Sequence, residues 1–374
     1  MDGIQRFLVA AHQMNVIERW NNKPNLLTET VAAHSYLVAV IGWGLSAAAG
    51  ARGGEPVDAV EVIKRAVAHD LHEVITGDIL APTKRSARTF KRAVEQLEHQ
   101  AGLELVGMLP PALRPRFERY IVAPMDESVE GRLVETADLF AASLKAWLEV
   151  QMGNGFHRGN LARIRSLLQA LPSADVHELM WELEVSGDTL EQRPSLAKFL
   201  RLLFTLYYVK RWNNLPTLAP KSVAAHGHLV ALIAWVLAEA ENAQRGANLP
   251  VGDILRRALL LEAPKAITGD ILYVSKTASP GMERGVEQAR TRASRELLGM
   301  LPPHLQPAFA PFLEPLGGEA EQLVQDASRL AGYLEAAMEV RLGNGYFQPI
   351  LDVLRERVES PFAATRAVMQ ALDL

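Results

Sequence analysis

Residues 19–22 read Arg-Trp-Asn-Asn, and the same four residues return at 211–214, an offset of 192. At that spacing Val31-Ala32-Ala33-His34 returns as Val223-Ala224-Ala225-His226, Ile75 to Leu80 as Ile267 to Leu272, and Gly107 to Pro111 as Gly299 to Pro303. Later the offset becomes 190, where Met152-Gly153-Asn154-Gly155 matches Leu342-Gly343-Asn344-Gly345. A period of this length is a duplicated domain and not a short solenoid unit. The chain is therefore expected to fold as two similar lobes, 1–172 and 195–374. The connecting 173–194 stretch ends in the polar Ser186–Pro194 segment and reads as linker. With 374 residues in all, each lobe is long enough to bury a core of its own.

The fold class expected within each copy is all-α. Thr30–Ala49, Val57–Val74, Thr89–Gly107 and Ser128–Met152 are long stretches rich in Ala and Leu and bounded by Pro or Gly. Pro110-Pro111 stops one helix and starts the next, and no alternating stretch makes a convincing strand. A net charge of −4 and a pI near 6.2 argue against a nucleic-acid partner or a polybasic membrane tether. The absence of cysteine excludes disulfides and thiolate metal sites, so any metal must be held by His, Asp and Glu. The N-terminal segment has a short apolar core broken by His12 and lacks a cleavage site. The longest apolar runs, such as Leu37–Ala49, fall short of the roughly 20 residues a membrane span needs. A cytoplasmic protein is expected.

The chemistry concentrates in Ala66–Asp78, AVAHDLHEVITGD. His69 and Asp70 sit late in an apolar helical run, and an ionisable pair in such a setting usually has a partner or a metal. At about 100° per residue, Glu73 falls between them on the wheel, so all three share one sector. Along Ser128–Met152, Asp138 shares a stripe with Lys145 and Glu149. It either pairs with Lys145 or points a carboxylate at the His69-Asp70 cleft. His34 lies within another apolar helix, where a lone histidine is more often a satisfied core residue than a ligand.

Taken in order, His34, His69-Asp70 and Asp138 resemble the HD-domain metal-dependent phosphohydrolases, and most closely the bacterial HD-domain 5′-deoxynucleotidases. Glu18-Arg19-Trp20, Thr28–Ser35, His69–Asp78, Pro82-Thr83-Lys84 and Ala137-Asp138 carry the resemblance, which covers residues 1 to 170. It implies one divalent ion (Co²⁺, Mn²⁺ or Zn²⁺) held by His34, His69, Asp70 and Asp138, a donor set that suits all three. The implied activity is phosphate release from deoxyribonucleoside 5′-monophosphates by a metal-activated water, with Asp70 and Glu73 as the catalytic carboxylates. Glu73 would orient that water or shuttle its proton. Arg19 and Trp20 would meet phosphate and deoxyribose, and Asp78, Ile79, Leu80 and Ala81 would line the substrate pocket. Other HD reactions, such as nucleoside triphosphate pyrophosphohydrolysis or cyclic or alarmone nucleotide cleavage, stay open, as does a regulatory nucleotide-binding role. Lys84, Arg85, Arg88, Lys91 and Arg92 form a basic cluster that either draws in an anion or is a solvated helix face. His12, His72, His99, His157 and His177 read as structural.

The second copy lacks this set. His69 becomes Leu261, Asp70 becomes Glu262, Glu73 becomes Lys265 and Asp138 becomes Ser328; only His226 survives. Pro264 is expected to kink or shorten the corresponding helix. Arg211, Trp212 and Thr268-Gly269-Asp270 remain. A catalytically dead lobe is expected, either pure scaffold or an anion holder in which Lys265 stands in for the metal's charge. Because the resembled family works as homodimers, the fused pair implies an internal pseudo-dimer and a monomeric chain.

Overall fold

The computed structural model describes residues 2–53, 57–84, 86–184, 193–219, 221–272, 279–356 and 360–372. Among these, every regular element is helical, and extended pairing is confined to isolated bridges, Glu18 with Thr30 and Lys210 with Ser222. The first lobe runs α1 Asp2–His12, α2 Val31–Ala51, α3 Ala59–Ala68, α4 Glu73–Thr76, α5 Ala81–Lys84, α6 Arg88–Met108, α7 Arg114–Val122, α8 Val129–Gln151, α9 Arg158–Gln169 and α10 Ala174–Glu184. The second repeats the order as α11 Leu196–Phe204, α12 Val223–Arg245, α13 Val251–Leu260, α14 Lys265–Thr268, α15 Pro280–Met300, α16 Gln306–Leu313, α17 Gly318–Arg341, α18 Gln348–Glu356 and α19 Ala363–Leu372.

Side-chain caps set the starts of the site-bearing helices, each oxygen taking up a first-turn N–H that has no partner within the helix. The Thr30 hydroxyl accepts from Ala33 N ahead of α2, Asp58 from Val60 and Glu61 N ahead of α3, and Ser128 from Gly131 N ahead of α8. The three ranges expected at 30–49, 89–107 and 128–152 match α2, α6 and α8 closely. The range expected at 57–74 does not hold as one helix: α3 ends at Ala68 and α4 begins at Glu73. Between them the backbone tightens to three-residue spacing, with Leu71 N donating to Ala68 O (3.1 Å) and Glu73 N to Asp70 O (3.0 Å). Apolar periodicity continues through this break, so it cannot be seen in the wheel. Pro264 likewise shortens nothing, because α13 has the same 10 residues as α3. It takes the place of His72 before the short helix, where a missing N–H costs no hydrogen bond.

Two helices, α2 with mean hydropathy 1.4 and α12 with 1.6, are long and apolar enough to span a membrane, contrary to the sequence estimate. Helix α2 runs past the apolar run at both ends, over residues 31–36 before it and 50–51 after it. Their apolar windows are 94% and 100% buried within the protein, so both are core helices.

α2 and α12 pack against each other at the centre, and the two lobes form a pseudo-dimer around them. Trp43 stacks on Phe309 (4.3 Å between ring centroids) and Trp235 meets Phe117 (4.5 Å). These pairs interchange under the 192-residue offset, which is the signature of an isologous, two-fold interface. The pairing extends to the ends, where α1 packs on α19 and α11 on α10. The stretch read as linker is helical in its first half, because Val176, Leu179, Met180 and Leu183 bury one face of α10. Of the polar segment at 186–194, all but the last two residues lie outside the described residues.

Candidate metal centre

His34 lies one turn into α2, His69 and Asp70 in the tight turn after α3, and Asp138 in the middle of α8. Packing of α2 against α3 and α8 brings them together. His34 Nε2 lies 2.8 Å from Asp138 Oδ1, and His69 Nε2 lies 3.0 Å from Asp70 Oδ2. Ligand atoms of His34, His69 and Asp70 fall within 4.8 Å of one another. The lone aspartate's two readings are thereby separated, since Lys145 pairs with Glu149 and Asp138 faces His34.

The donor set fits a divalent cation. His69 Nδ1 lies 2.7 Å from Ala66 O, a contact that makes it the protonated nitrogen and leaves Nε2 with a lone pair. That Nε2 is buried and turned toward Asp70 Oδ2 at 3.0 Å. Arg19 is held by Asp70 (Nη1 to Oδ2, 2.9 Å), with Asp138 3.8 Å and Glu29 3.6 Å away. Glu73 also lies in the field of this guanidinium, and Glu73 and Asp78 both feel Arg19 and Lys84. Burial and the charge of Asp70 hold the Glu73 carboxyl well above its ordinary range, and burial also raises Asp78. Asp70 stays well below the ordinary range despite burial, because His69 and Arg19 face it, and the His34 hydrogen bond similarly lowers Asp138. Burial and Arg19 oppose a charge on His34, yet its hydrogen bond to Asp138 and the nearby Glu29 carboxylate raise it to about 9. A cation bound at Nε2 would displace that proton.

Arg19 and Trp20 lie on the segment entering α2, and Trp20 adopts a left-handed backbone (φ 60°) that a non-glycine residue keeps only when its surroundings impose it. Its carbonyl accepts from Lys23 N and Asn25 Nδ2, each at 3.1 Å, and its indole N–H donates to Glu29 Oε2 at 2.8 Å. Asp78, Ile79 and Leu80 are half-buried in the irregular segment after Gly77, whose φ of 69° is readily adopted by glycine, and Ala81 opens α5. Of the basic cluster, Lys84 pairs with Glu98 (2.6 Å) and Lys91 with Glu95 (3.4 Å), while Arg85 lies outside the described residues. His72 lies 3.6 Å from the same Glu98, and Asp70, His72 and Glu73 also bring ligand atoms within 4.8 Å.

Sequence reasoning missed Glu29, a buried carboxylate that bonds Trp20 and faces both Arg19 and His34 Nδ1 at 3.6 Å. The available signal was an acidic residue one position ahead of the cap of an apolar helix. Glu149 was also given no role. It accepts from Leu26 N, Leu27 N and Asn154 Nδ2, at 3.1, 3.0 and 2.7 Å, and so ties the loop that follows Trp20 to α8.

A family model described as 5′-deoxynucleotidase YfbR-like matches the chain twice, at residues 6–184 and 198–368. The chain belongs to the YfbR-like family. Its relatives include 5′-deoxynucleotidase YfbR of Shigella boydii, 31% identical over 46% of this chain and 87% of that protein. 5′-Deoxynucleotidase PM0747 of Pasteurella multocida is 27% identical over 46% of this chain and 89% of its own. An HD-domain phosphohydrolase of Listeria innocua is a solved structure similar to 48% of this chain and 86% of its own, with 21% identity and a TM-score of 0.45.

The second YfbR-like lobe is closed by its own charges. Lys265 extends between Glu262 and Asp270, with Nζ 2.8 Å from Asp270 Oδ1. These three residues correspond to Glu73, Asp70 and Asp78, so an ammonium lies among carboxylates where the first YfbR-like lobe has the carboxyl of Glu73. Glu335 accepts from Trp212 Nε1 (2.9 Å) and Arg211 Nε (3.0 Å) and lies 2.9 Å from His226 Nδ1. Burial opposes ionisation of Glu262 and Glu335, but Lys265 and Arg211 hold both far below the carboxylate range. Among the described residues, both three-ligand groups lie in the first lobe.

Proposed function

We propose that the first lobe is a metal-dependent phosphomonoesterase that releases phosphate from deoxyribonucleoside 5′-monophosphates, with His34, His69, Asp70 and Asp138 as ligands. The observation that carries this reading is the buried convergence of ligand atoms of His34, His69 and Asp70 within 4.8 Å of one another. The names of the relatives support the substrate class. A divalent ion here would supply Lewis acidity and lower the pKa of a water. Glu73, raised above the ordinary carboxyl range by burial and Asp70, has the greater proton affinity that suits a group taking a proton from water and returning it to the leaving oxygen. Arg19, whose fork already spans towards two carboxylates, would turn its donors to the phosphate dianion. Trp20, anchored by Glu29, would wall the sugar, and Asp78 to Ala81 would line the nucleoside side. A cytoplasmic monomer fits this reading, the second lobe covering the face that a separate subunit would otherwise cover.

A phosphate-release panel tests the proposal, using deoxyribonucleoside and ribonucleoside monophosphates and triphosphates with and without Co²⁺, Mn²⁺ or Zn²⁺ after chelation. Metal-dependent phosphate release from deoxyribonucleoside monophosphates is expected. Pyrophosphate release from triphosphates, or no release from any substrate, would overturn it.

A further inference from the structure

The turn that carries His69 and Asp70 is held from outside its own lobe. In a continuing helix the Val67 carbonyl would accept from Leu71 N, but Leu71 N goes to Ala68 O instead (3.1 Å). His228 of α12 reaches across the interface and places its Nε2 2.8 Å from Val67 O. Two imidazoles thus serve the end of α3, His69 at the Ala66 carbonyl and His228 at the Val67 carbonyl. His228 is fully enclosed, and burial pushes it down to about 4, so it is a neutral ring with one N–H to donate.

The mirror position does something else. His228 corresponds to Tyr36 at the 192-residue offset, and Tyr36 has a buried hydroxyl without a hydrogen-bond partner. Its ring lies against the α12 backbone, where a Cβ added at Gly227 would come within 2.9 Å of it. Two identical subunits would have to carry the same residue at both places. Fusion into one chain lets the pair differ, with a donor aimed at the lobe that has the ligand set.

We propose that His228, supplied by the lobe that has lost the ligand set, is a positioning residue for the first lobe's metal centre, fixing the His69-Asp70 turn through its bond to Val67. The proposal rests on reading His69 and Asp70 as metal ligands. The second lobe is then a working part of the site and more than a cover.

The test is Co²⁺ affinity of the full chain, measured by titration calorimetry on His228→Gln and His228→Met, near-isosteres of which only the first donates a hydrogen bond. His228→Met should weaken Co²⁺ binding by about tenfold or more, the loss typical of an outer-shell partner. His228→Gln should stay within about threefold of the unsubstituted protein, and Tyr36→Phe should match it. Melting followed by circular dichroism checks that each variant is folded. If the methionine variant does not fold, His228→Phe, a ring of the kind the mirror position accommodates as Tyr36, takes its place. Equal Co²⁺ affinity for donor and non-donor variants would overturn the positioning role. No Co²⁺ binding by the unsubstituted chain would overturn the metal reading itself.

Discussion

The two lobes solve one buried-charge problem in opposite ways, and exchanging the solutions makes a quantitative test. In the first lobe Glu29 accepts from Trp20 Nε1 and faces Arg19 and His34, while Lys145 pairs with Glu149. In the second, the position of Glu29 is Lys221, which pairs with Glu339, and the position of Lys145 is Glu335, which takes up Trp212, Arg211 and His226. Glutamate and lysine have traded places, while the indole still donates to the glutamate and the lysine still pairs with Glu149 or, in the second lobe, Glu339. Glu29→Lys alone removes the acceptor of Trp20 and brings an ammonium towards Arg19. Like charges about 4 Å apart repel by about 4 kcal/mol at an effective dielectric near 20, and breaking a buried pair costs about 3–5 kcal/mol. Lys145→Glu alone sets two buried carboxylates side by side at a similar cost. The double variant recreates the arrangement of the second lobe, so its loss should be far smaller than the sum. A double-mutant cycle from urea midpoints should give a coupling energy of at least about 3 kcal/mol in favour of the double. Losses that simply add would refute the claim that the two networks are interchangeable.

Metal analysis after dialysis should give one divalent ion per chain, and two would refute the reading that Lys265 closes the second lobe. Asp138→Ala should lose both the ion and turnover, whereas Glu73→Gln should keep the ion and lose about 10²–10⁴-fold in kcat; phosphate release with parallel metal analysis distinguishes them. His12 and His228 are both held down to about 4, mainly by burial. The unfolded chain therefore takes up protons that the fold refuses between about pH 6.5 and pH 4, and stability should fall as pH drops through that window, by on the order of 3 kcal/mol per group. Urea midpoints at pH 7 and pH 5 check this, and a slope unchanged in His228→Gln would count against the assignment to His228.

The ligand candidates were legible only as an ordered set resembling the HD-domain phosphohydrolases, since His34 alone reads as a core histidine and Asp138 alone as an ion-pair partner. The substitution of three of the four in the second copy was legible from the repeat. The helix break at His69 was not, because apolar spacing runs on through a turn that changes hydrogen-bond partners but not faces. Pro264 misled for the same reason: its position already ends a helix in the first lobe, where the residue is His72. Glu29 and Lys145 gave no signal either, since a charge exchange between residues 116 apart leaves composition and periodicity untouched. The amino-acid sequence alone determined an all-α, twice-repeated chain with one complete set of metal-type side chains, because helix faces and repeats are local properties. The tertiary structure alone decided that His34 meets Asp138, that Lys265 neutralises the second lobe, and that His228 completes the end of α3 in the first. Those contacts depend on how α2 and α12 cross, and packing sets that crossing.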